Sequence, residues 1–422
     1  MKNHAERLIA SVMILASLAL AGADWTRFRG PDATGVADDK GLPLTWTETE
    51  NVLWKTPLPG FGASSPITLG DKIFLTCYSG YATGQEKPGS QEELAHHLLC
   101  IDRRSGKIVW DKAETAQLPE QEYRGFIALH GYASATPTTD GQAVYAYFGR
   151  SGARAYSLAG EPLWQFDAGK KIHSWGSAAS PILYKNLLII NASVESGSLI
   201  ALDKTSGKEV WRIGGIVQSW STPLVLDLPG GKQELIVSIQ GKVLGLDPAT
   251  GKSLWQCDGV PDYVCPAVIA HGDVVFITAG KKPMALAVRA GGSGDVSKTN
   301  VLWRIDKGSK VPTPLYHDGR LYWIDQRGIF ACVEAETGKL IFEQHLKIAG
   351  GGDKIYASLV LGDGKLYAVT RQGGTFVFAP GTEYKELAHN DLGDKSIFNG
   401  TPVIGNGQLL IRSDRFLYCI GK

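Results

Sequence analysis

The sequence predicts an all-β fold, an eight-bladed β-propeller of four-stranded antiparallel blades, and three observations lead to it. The first is a recurring start signal, in which a small residue precedes a proline and an apolar stretch. With Leu359 replacing proline once, the signal falls at Pro66, Pro137, Pro181, Pro223, Pro266, Pro314, Leu359 and Pro402. The successive steps are 71, 44, 42, 43, 48, 45 and 43 residues, and a period of about 40–45 residues is typical of one propeller blade.

The second observation is a segment with a turn and a tryptophan in the later part of each unit. Clear copies run from Ile101 to Trp110, from Leu202 to Trp211 and from Leu246 to Trp255, and weaker copies end at Trp164, Trp303 and Phe342. Each copy consists of an apolar strand, an Asp-initiated turn whose glycine accepts a positive φ, and a short strand that carries the aromatic residue. This pattern predicts the two outer strands of a blade.

The third observation concerns the two ends of the chain. The last unit, from Thr401 to Ile420, stops after three strands, and the missing outer strand has a counterpart in the segment from Asn51 to Lys55. Sheets of this kind bury both faces only by packing on neighbours, and closure into a ring leaves only short, protected edges. We therefore expect the N-terminal strand to complete blade eight, with residues 24–422 forming a single propeller domain.

Residues 1–23 are expected to be a secretory signal peptide rather than part of the fold. Lys2 and Arg7 form a charged start, an apolar stretch runs from Leu8 to Ala21, and the residues ending at Ala23 fit a cleavage site. The stretch is shorter than the roughly 20 residues that span a bilayer. No cysteine follows the cleavage site to carry a lipid anchor. We expect a periplasmic or secreted protein with neither a membrane span nor a lipid anchor.

The charge balance gives no reason to expect nucleic acid or an anionic membrane as a partner. The chain has 43 basic and 42 acidic residues, and a strongly basic balance is what such partners require. We expect a monomer that recognises a protein or a small molecule locally.

Six cysteines in an exported chain raise the question of disulfides. Three of them align with small residues in the third strand of other units, so we interpret them as buried thiols; the three are Cys100, Cys332 and Cys419, and the small residues are Ala201, Gly245 and Ala287. Cys77 with Cys100, and Cys257 with Cys265, remain alternative pairs. Spacing does not decide between these interpretations, because a disulfide requires Cα atoms within about 7 Å.

The segments before the inner strands and the turns between second and third strands are predicted to share one face near the axis. Counting back three or four residues from each start signal gives small residues over blades one to three and aromatic or charged residues over blades four to eight. Such an off-centre, aromatic-lined funnel is typical of small-molecule sites. The predicted binding residues are His130, Trp175, Trp220, Tyr263, Lys310, Arg327, Tyr356, Arg371, Asn399 and Arg412.

The same face is predicted to be basic and to carry two insertions. Its inner turns contain six basic residues and two acidic ones, which favours an acidic ligand or protein loop unless these side chains are simply solvated. Residues 79–95 lengthen the inner turn of blade one, and residues 111–131 lengthen the crossover into blade two. Long loops often carry function. We expect these two to form a lid over the funnel or to be insertions without a role.

The Asp-x-x-Thr-Gly-Lys-x-x-Trp segments resemble the tryptophan-docking repeats of the pyrroloquinoline-quinone (PQQ) propeller superfamily over essentially the whole mature chain. The opening from Trp25 to Pro31, and the segment from Gly62 to Pro66, are similar to the secreted bacterial branch called PQQ-binding-like repeat proteins. The resemblance implies a quinoprotein-like fold. It does not fix the function, because the superfamily includes quinone-dependent alcohol and sugar dehydrogenases as well as a non-catalytic outer-membrane assembly factor that binds proteins.

For a dehydrogenase, the resemblance implies PQQ, a calcium-type ion held by oxygen ligands and an Asp base. Glu195 occupies a turn comparable with that of the ion-binding Glu and is the candidate metal ligand, and Asp262 is the candidate base. The vicinal Cys-Cys pair of the alcohol dehydrogenases and a haem-attachment motif are absent from the sequence. Our first hypothesis is therefore an exported protein that binds a protein partner or a small acidic or carbohydrate ligand without catalysis. The alternative is a PQQ-dependent dehydrogenase that oxidises an alcohol or sugar.

Overall fold

The computed structural model describes residues 24–84 and 87–422 and confirms the predicted ring of eight antiparallel blades. The predicted signal peptide lies outside the described residues. Blades four and seven have a fifth strand, and the other six have four strands. None of the helices in the described part of the chain has the length and apolar character that crossing a membrane requires.

Within each blade, the four main strands run from the axis outward and are antiparallel, whereas the fifth strands of blades four and seven pair in parallel. Blades one to four consist of Ile67–Leu69, Lys72–Ser79, Ala95–Asp102 and Ile108–Thr115; Thr138–Thr139, Ala143–Tyr147, Ala153–Ser157 and Pro162–Phe166; Ile182–Tyr184, Leu187–Ala192, Ser198–Asp203 and Glu209–Gly214; and Leu224–Leu228, Lys232–Ile239, Lys242–Leu246 and Ser253–Asp258.

Blades five to seven continue this pattern, and blade eight takes its outer strand from the other end of the chain. Their strands are Ile269–His271, Val274–Ala279, Met284–Arg289 and Val301–Ile305; Leu315–His317, Arg320–Ile324, Ile329–Glu334 and Leu340–His345; Val360–Gly362, Lys365–Val369, Thr375–Phe378 and Glu386–Asn390; and Val403–Gly405, Gln408–Arg412, Phe416–Ile420 and Val52–Pro57. The fifth strands are Gly294–Asp295 on blade four and Val36–Ala37 on blade seven, and short 3₁₀ helices form at Gln91–Glu93, Gly125–Leu129, Gly149–Ser151 and Pro229–Gly231.

Five blade junctions are fastened by an indole N–H that donates to a backbone carbonyl in the outer turn of the next blade. The N···O distances are 2.8–3.2 Å, and the pairs are Trp54 and Arg103, Trp110 and Leu158, Trp164 and Lys204, Trp211 and Pro248, and Trp303 and Ala335. The turn glycine meets two requirements at once. Gly207 has φ +69°, and a Cβ there would lie 2.6 Å from the ring of Trp164. The repeated Gly and Trp are therefore one docking device shared between neighbouring blades.

The small-residue position of the third strand lies directly opposite this aromatic residue. Cys100 pairs across the ladder with Trp110, Cys332 with Phe342, and Cys419 with Trp54. In blade four, a Cβ on the corresponding Gly245 would lie 2.1 Å from the ring of Trp255. The three cysteines are fully buried, and all six cysteines are free thiols. The structure therefore supports the interpretation of buried thiols over the alternative disulfides.

The predicted closure of the ring is confirmed. Val52–Pro57 runs antiparallel to Phe416–Ile420 and forms the outer strand of blade eight. The indole of Trp54 then donates to the carbonyl of Arg103 in blade one at 2.9 Å. The two ends of the chain therefore lie in one blade, and the junction between blades eight and one is built like the others.

Blade five corrects one step of the predicted repeat. In the other blades the inner strand begins directly after the residue of the start signal, but in blade five it begins at Ile269, three residues after Pro266. The equivalent position is therefore Val268. Counting back from Pro266 gave Tyr263 and Asp262, and both positions were two residues too early. The cause is that Pro266 lies two residues farther from its inner strand than the start residue does in the other blades.

A feature that the repeat did not predict closes the lower end of the central channel. Residues 25–39, called the floor segment, run along the inside of the ring. Thr68 in blade one and Thr139 in blade two donate their backbone N–H groups to the carbonyls of Trp25 and Thr26, each at 2.9 Å. Further along, Val36–Ala37 pairs in parallel with the innermost strand of blade seven. The floor segment thus joins blades one and two to blade seven.

Arg29 lies at the centre of the floor segment with only 1% of its surface exposed. Its guanidinium donates to the carbonyls of Thr34, Pro314 and Leu359 at 2.7, 2.9 and 3.2 Å. No carboxylate pairs with it among the described residues, and burial lowers its pKa to about 9. Because a buried cation must be compensated by hydrogen bonds, Arg29 ties the floor segment to blades six and seven.

Candidate functional site

A cavity of about 160 Å³ lies on the axis above the floor segment. Two rings of side chains wall it, each with one residue per blade. The upper ring stands three residues before the start position of each inner strand and comprises Ala63, Ser134, Ala178, Trp220, Cys265, Val311, Tyr356 and Asn399. The lower ring stands one residue before it and comprises Ser65, Thr136, Ser180, Thr222, Ala267, Thr313, Ser358 and Thr401. Phe28 of the floor segment lies at the base.

Six residues of the lower ring form a hydroxyl belt, in which each hydroxyl accepts the backbone N–H of the same position in the preceding blade. The N···O distances are 2.9–3.0 Å, and the acceptors are Thr136, Ser180, Thr222, Thr313, Ser358 and Thr401. A hydroxyl that accepts one hydrogen bond still has its own O–H to donate. The belt therefore connects neighbouring blades through hydrogen bonds, and its O–H groups remain available to donate.

The long crossover between blades one and two reaches over the mouth of the cavity. We call residues 116–131 the lid. The carbonyl of Leu129 accepts from Asn399 Nδ2 at 2.7 Å and from Arg371 Nη2 at 3.2 Å, and these residues belong to blades eight and seven, beyond blade one. The N–H of Ile127 donates to Ser174 O at 3.3 Å. Of the two expectations for this insertion, the structure supports a lid.

Aromatic rings from the lid and from blades three to five meet over the cavity. The ring centroid of Trp175 lies 4.8 Å from those of Phe126 and Trp220 and 4.5 Å from that of Tyr263. The indole of Trp220 is fixed by donating to Gly176 O at 2.7 Å. Aromatic groups at these separations attract one another and give rigid apolar walls. The arrangement suits the apolar body of a ligand.

Lys310 is the one charged side chain among the residues that line the cavity. Its ammonium lies 5.4 Å from the ring centroid of Phe126, a cation–π distance. Within residues 24–84 and 87–422 it forms neither an ion pair nor a side-chain hydrogen bond. Cys265 stands beside it in the wall, and burial raises the pKa of this thiol to about 12, so the thiol is neutral. The cavity is therefore a mainly apolar space with one positive charge.

His130 connects the lid to the wall rather than offering a free ring. Its Nε2 lies 2.8 Å from Trp175 O and its Nδ1 lies 2.6 Å from Ser134 Oγ. Because a carbonyl only accepts, Nε2 carries the proton and Nδ1 accepts from the serine. Burial, with a smaller contribution from the charge of Arg371, lowers the pKa of His130 to about 4. The imidazole is therefore neutral at physiological pH.

The structure brings seven of the ten predicted binding residues to the cavity and leaves three outside its lining. The seven are His130, Trp175, Trp220, Tyr263, Lys310, Tyr356 and Asn399. Arg371 lies just behind the wall, stacked on Tyr356 at 5.0 Å and bonded to Asn399. Arg327 faces solvent and pairs with Asp325 at 2.6 Å. Arg412 is 1% exposed and donates to Ser64 O at 2.8 Å.

Glu195 and Asp262, the candidates for a calcium–quinone centre, do not line the cavity. Glu195 is buried and accepts hydrogen bonds from Tyr147, at 2.6 Å, and from Ser177, and burial raises its pKa. Asp262 accepts the backbone N–H of Lys281 at 2.8 Å. Among the described residues, no group of three or more metal-binding side chains is arranged around an ion position. The donor set therefore does not fit a PQQ–calcium centre, and we derive no step through one.

Several lining residues were not predicted, although part of the signal for them was present. The hydroxyl belt consists of the small residues of the start signals, where Ser or Thr recurs because it bonds to the neighbouring blade. Phe28 and Phe126 carried no comparable signal, because the floor segment and the lid lie outside the repeat. Arg412 was placed wrongly by counting turn residues alone, since it is the last residue of a strand and points into a blade interface.

The family model described as "Outer membrane protein assembly factor BamB" matches residues 91–214 and 195–418. No curated protein matches the chain significantly. Among solved structures, BamB from Moraxella catarrhalis is 14% identical with a TM-score of 0.62, over 88% of this chain and 97% of that chain. A europium-containing methanol dehydrogenase is 11% identical with a TM-score of 0.62, over 94% and 98%.

The computationally designed Ika8 protein is 12% identical with a TM-score of 0.59, over 88% of this chain and 99% of that chain. Likeness at these identities shows a shared fold, and the three proteins differ in what their names describe. The family match covers most of the chain and agrees with the eight docked blades described above. The chain therefore belongs to the PQQ-repeat β-propeller family whose model carries the BamB description.

Proposed function

We propose that this protein is an exported binding protein that holds a small acidic organic molecule in its central cavity and does no chemistry on it. The observation that supports this most directly is the cavity itself, in which aromatic walls surround a single lysine without an acidic partner among the described residues. Concave, mostly apolar sites with a few polar groups are the usual form of small-molecule sites. The lid over the mouth is the proposed route for exchange.

The absence of catalysis is part of the proposal and is supported by the neighbouring polar groups. Glu195 is engaged by Tyr147 and Ser177, and Asp262 holds a turn of the backbone. His130 is engaged at both ring nitrogens. A general acid or base must reach the proton that it transfers, and these groups are occupied elsewhere.

Two observations support the proposal that the protein is exported. The sequence of residues 1–23 has the pattern of a secretory signal, and the matching family model is described by an outer-membrane assembly factor. We propose that the mature propeller, residues 24–422, works as a monomer in the periplasm or outside the cell.

The test is to isolate the exported protein, denature it and identify the released small molecules by mass spectrometry. We expect about one equivalent of an acidic compound from the wild type. The variant Ala178→Phe, which fills the cavity from the upper ring, should release none while retaining its circular dichroism spectrum. The control is Ala249→Phe, at an exposed turn on the opposite face. If Ala178→Phe and the wild type released the same compounds, cavity binding would be refuted.

Protein docking on the lid face is a second candidate, and exposed apolar side chains there favour it. Leu118, Phe126 and Ile172 are 37%, 43% and 41% exposed. Exposed apolar groups that cluster, rather than occurring singly, mark interaction sites. In-cell crosslinking of the wild type and of Leu118→Ser/Ile172→Ser would test it. A defined crosslinked partner that the double variant loses is the expected result, and identical crosslinks in both would rule this face out.

A further inference from the structure

Basic groups reach the cavity more directly than acidic ones. Lys310 lines it, Arg371 lies behind Tyr356, and Arg29 lies below, bonded to the carbonyls that directly follow the lower ring at Thr313 and Ser358. The nearest carboxylates lie behind the wall, where Asp353 accepts from the Tyr356 hydroxyl at 3.0 Å and Asp262 from the backbone N–H of Tyr263 at 2.8 Å. No carboxylate lines the cavity. A positive potential in a low-dielectric recess attracts an anion and repels a cation. The ligand should therefore carry negative charge.

Lys310 is available to bind such a charge. Lys307, three residues earlier, pairs with Glu343 at 2.7 Å on the outside of the blade. In contrast, the ammonium of Lys310 has no ion pair or side-chain hydrogen bond among the described residues, and it lies 5.4 Å from the ring centroid of Phe126. An ammonium has three donors and no acceptor. Its natural complement is a carboxylate, with which it forms a charge-assisted hydrogen bond.

The polar groups of the wall include donors that a carboxylate can use. Each hydroxyl of the belt accepts one backbone N–H and keeps its own O–H, together with one further acceptor site. The stronger acceptors of the wall are engaged, since Asn399 Oδ1 accepts from Arg371 and His130 Nδ1 faces Ser134. The wall can therefore add O–H donors to the ammonium of Lys310 when an acid binds.

The size and shape of the cavity limit the rest of the ligand. Its volume of about 160 Å³ is below the range of about 300–1,000 Å³ typical of sites for drug-sized molecules. PQQ, with three fused rings and three carboxylates, exceeds this space. Trp175, Trp220 and Tyr263 provide flat apolar surfaces for one ring.

On the basis of the proposed function, we infer that the ligand is a small carboxylic acid with one ring or an apolar body of similar size. Its carboxylate lies on the ammonium of Lys310, and its apolar body lies between Phe28 and the rings of Trp175 and Tyr263. Lys310 is thus the residue that selects acids over neutral and cationic compounds of the same shape.

Isothermal titration calorimetry of the dialysed mature protein tests this with four matched probes: benzoate, phenylacetate, benzamide and benzylamine. We expect the two acids to bind, benzamide to bind at least 10-fold more weakly, and benzylamine to give no signal. Replacing Lys310 by Met should weaken binding of the acids roughly 10- to 100-fold, the effect of a hydrogen bond to a charged group. The control is Lys281→Met, which removes an exposed lysine on the same face.

Lys310→Gln serves as a second variant if Lys310→Met loses its thermal transition, because glutamine keeps polarity at that position. Equal affinities for benzoate, benzamide and benzylamine, or unchanged affinity in both Lys310 variants, would overturn the inference while leaving cavity binding intact. If no probe bound and Ala178→Phe released the same compounds as the wild type, the proposed function itself would fail. If no probe bound but the wild type released a larger acid, the assignment of ligand size would be wrong.

Discussion

The two ends of the central channel are closed by different means. The floor segment bonds to blades one, two, six and seven, and its Arg29 is 1% exposed. The lid bonds to blades seven and eight through Arg371 and Asn399, and to blades one and two mainly through side chains such as Gln91, Ser151 and Arg150. Its Phe126 is 43% exposed. The floor is thus held by backbone bonds and a buried guanidinium, whereas the lid is held mainly by side-chain bonds at the rim. Ligand exchange should occur at the lid.

The difference follows from what each end would expose on opening. Withdrawing the floor would leave a guanidinium and several carbonyls without partners inside the ring, and buried polar groups without hydrogen bonds are costly. Raising the lid would return Asn399, Arg371 and Leu129 O to water, which replaces the lost bonds, and would expose the buried side chain of Ile127. Segments with few buried contacts open at low free energy. Four experiments test or refine this contrast.

The largest expected effect is at the centre of the floor. Arg29→Met removes the donors to Pro314 O and Leu359 O and should lower the free energy of unfolding by about 3 kcal/mol or more, because each buried carbonyl left unpaired costs roughly 1–3 kcal/mol. Guanidinium chloride denaturation measures it. Arg124→Met, at a lid residue whose side chain is 77% exposed, should change stability by no more than about 0.5 kcal/mol. If both variants lost a similar free energy of unfolding, the floor segment would not be more important for stability than the lid.

Two glycines with similar backbone conformations allow the effect of steric crowding on stability to be measured apart from the effect of backbone strain. Gly35 in the floor segment has φ +76° and Gly125 in the lid has φ +68°. An added Cβ lies 2.7 Å from Arg29 Nη2 at Gly35 and meets nothing within 4 Å at Gly125. Gly125→Ala should cost about 1–2 kcal/mol from backbone strain, and Gly35→Ala should cost a further ~1–3 kcal/mol from overpacking. Equal melting temperatures would show that the floor yields as readily as the lid.

A smaller effect is expected at the contact between lid and ring. Asn399→Ala removes the 2.7 Å bond to Leu129 O and should lower global stability by only about 1 kcal/mol. Amide hydrogen exchange in residues 125–131 should accelerate several-fold, while the Gly35 amide, bonded to Arg29 O, keeps its rate. Asn186→Ala, an exposed position on the opposite face, is the control. Unchanged exchange in the lid would mean that this contact does not hold it.

The smallest effect concerns pH. The pKa of His130 is lowered by burial from 6.5 to about 4, so the unfolded chain binds more protons than the folded one between these values. Stability should therefore fall as the pH drops from 6.5 to 4. In His130→Asn, melting temperature should fall less steeply over this range, with a remaining slope from buried His96, whose pKa is about 3. The exposed residue His345 provides the control, His345→Asn. If the melting temperature of His130→Asn fell with pH as steeply as that of the wild type, His130 would not be the source of the pH dependence.

The repeated parts of the molecule were predictable because each signal has a local physical cause. The turn glycine combines a positive φ with contact to the neighbouring indole, as at Gly207, and therefore recurs with the tryptophan. Counting back from the start signals found the upper ring of the cavity because identical blades place identical positions on the axis. In blade five, Pro266 lies two residues farther from the inner strand than the start residue does in the other blades, so the predicted position in the upper ring was wrong by two residues.

The parts outside the repeat were not predictable in the same way. The insertion 111–131 was recognised by its length, but its course over the mouth depends on Leu129 meeting Asn399, 270 residues away. Trp25 and Arg29 belong to an opening that was noted only for a family resemblance, and their partners lie in three different blades. Long-range contacts of single residues leave no periodic pattern in a sequence.

The strand Val52–Pro57 also determines when the molecule can finish folding. Its partner, Phe416–Ile420, follows it by more than 350 residues in the sequence, and Val36–Ala37 pairs with a strand that is almost as distant. Contacts of such long sequence separation form slowly and late. The ring therefore cannot close until residues 416–420 have been made, and such late closure would suit the export proposed above.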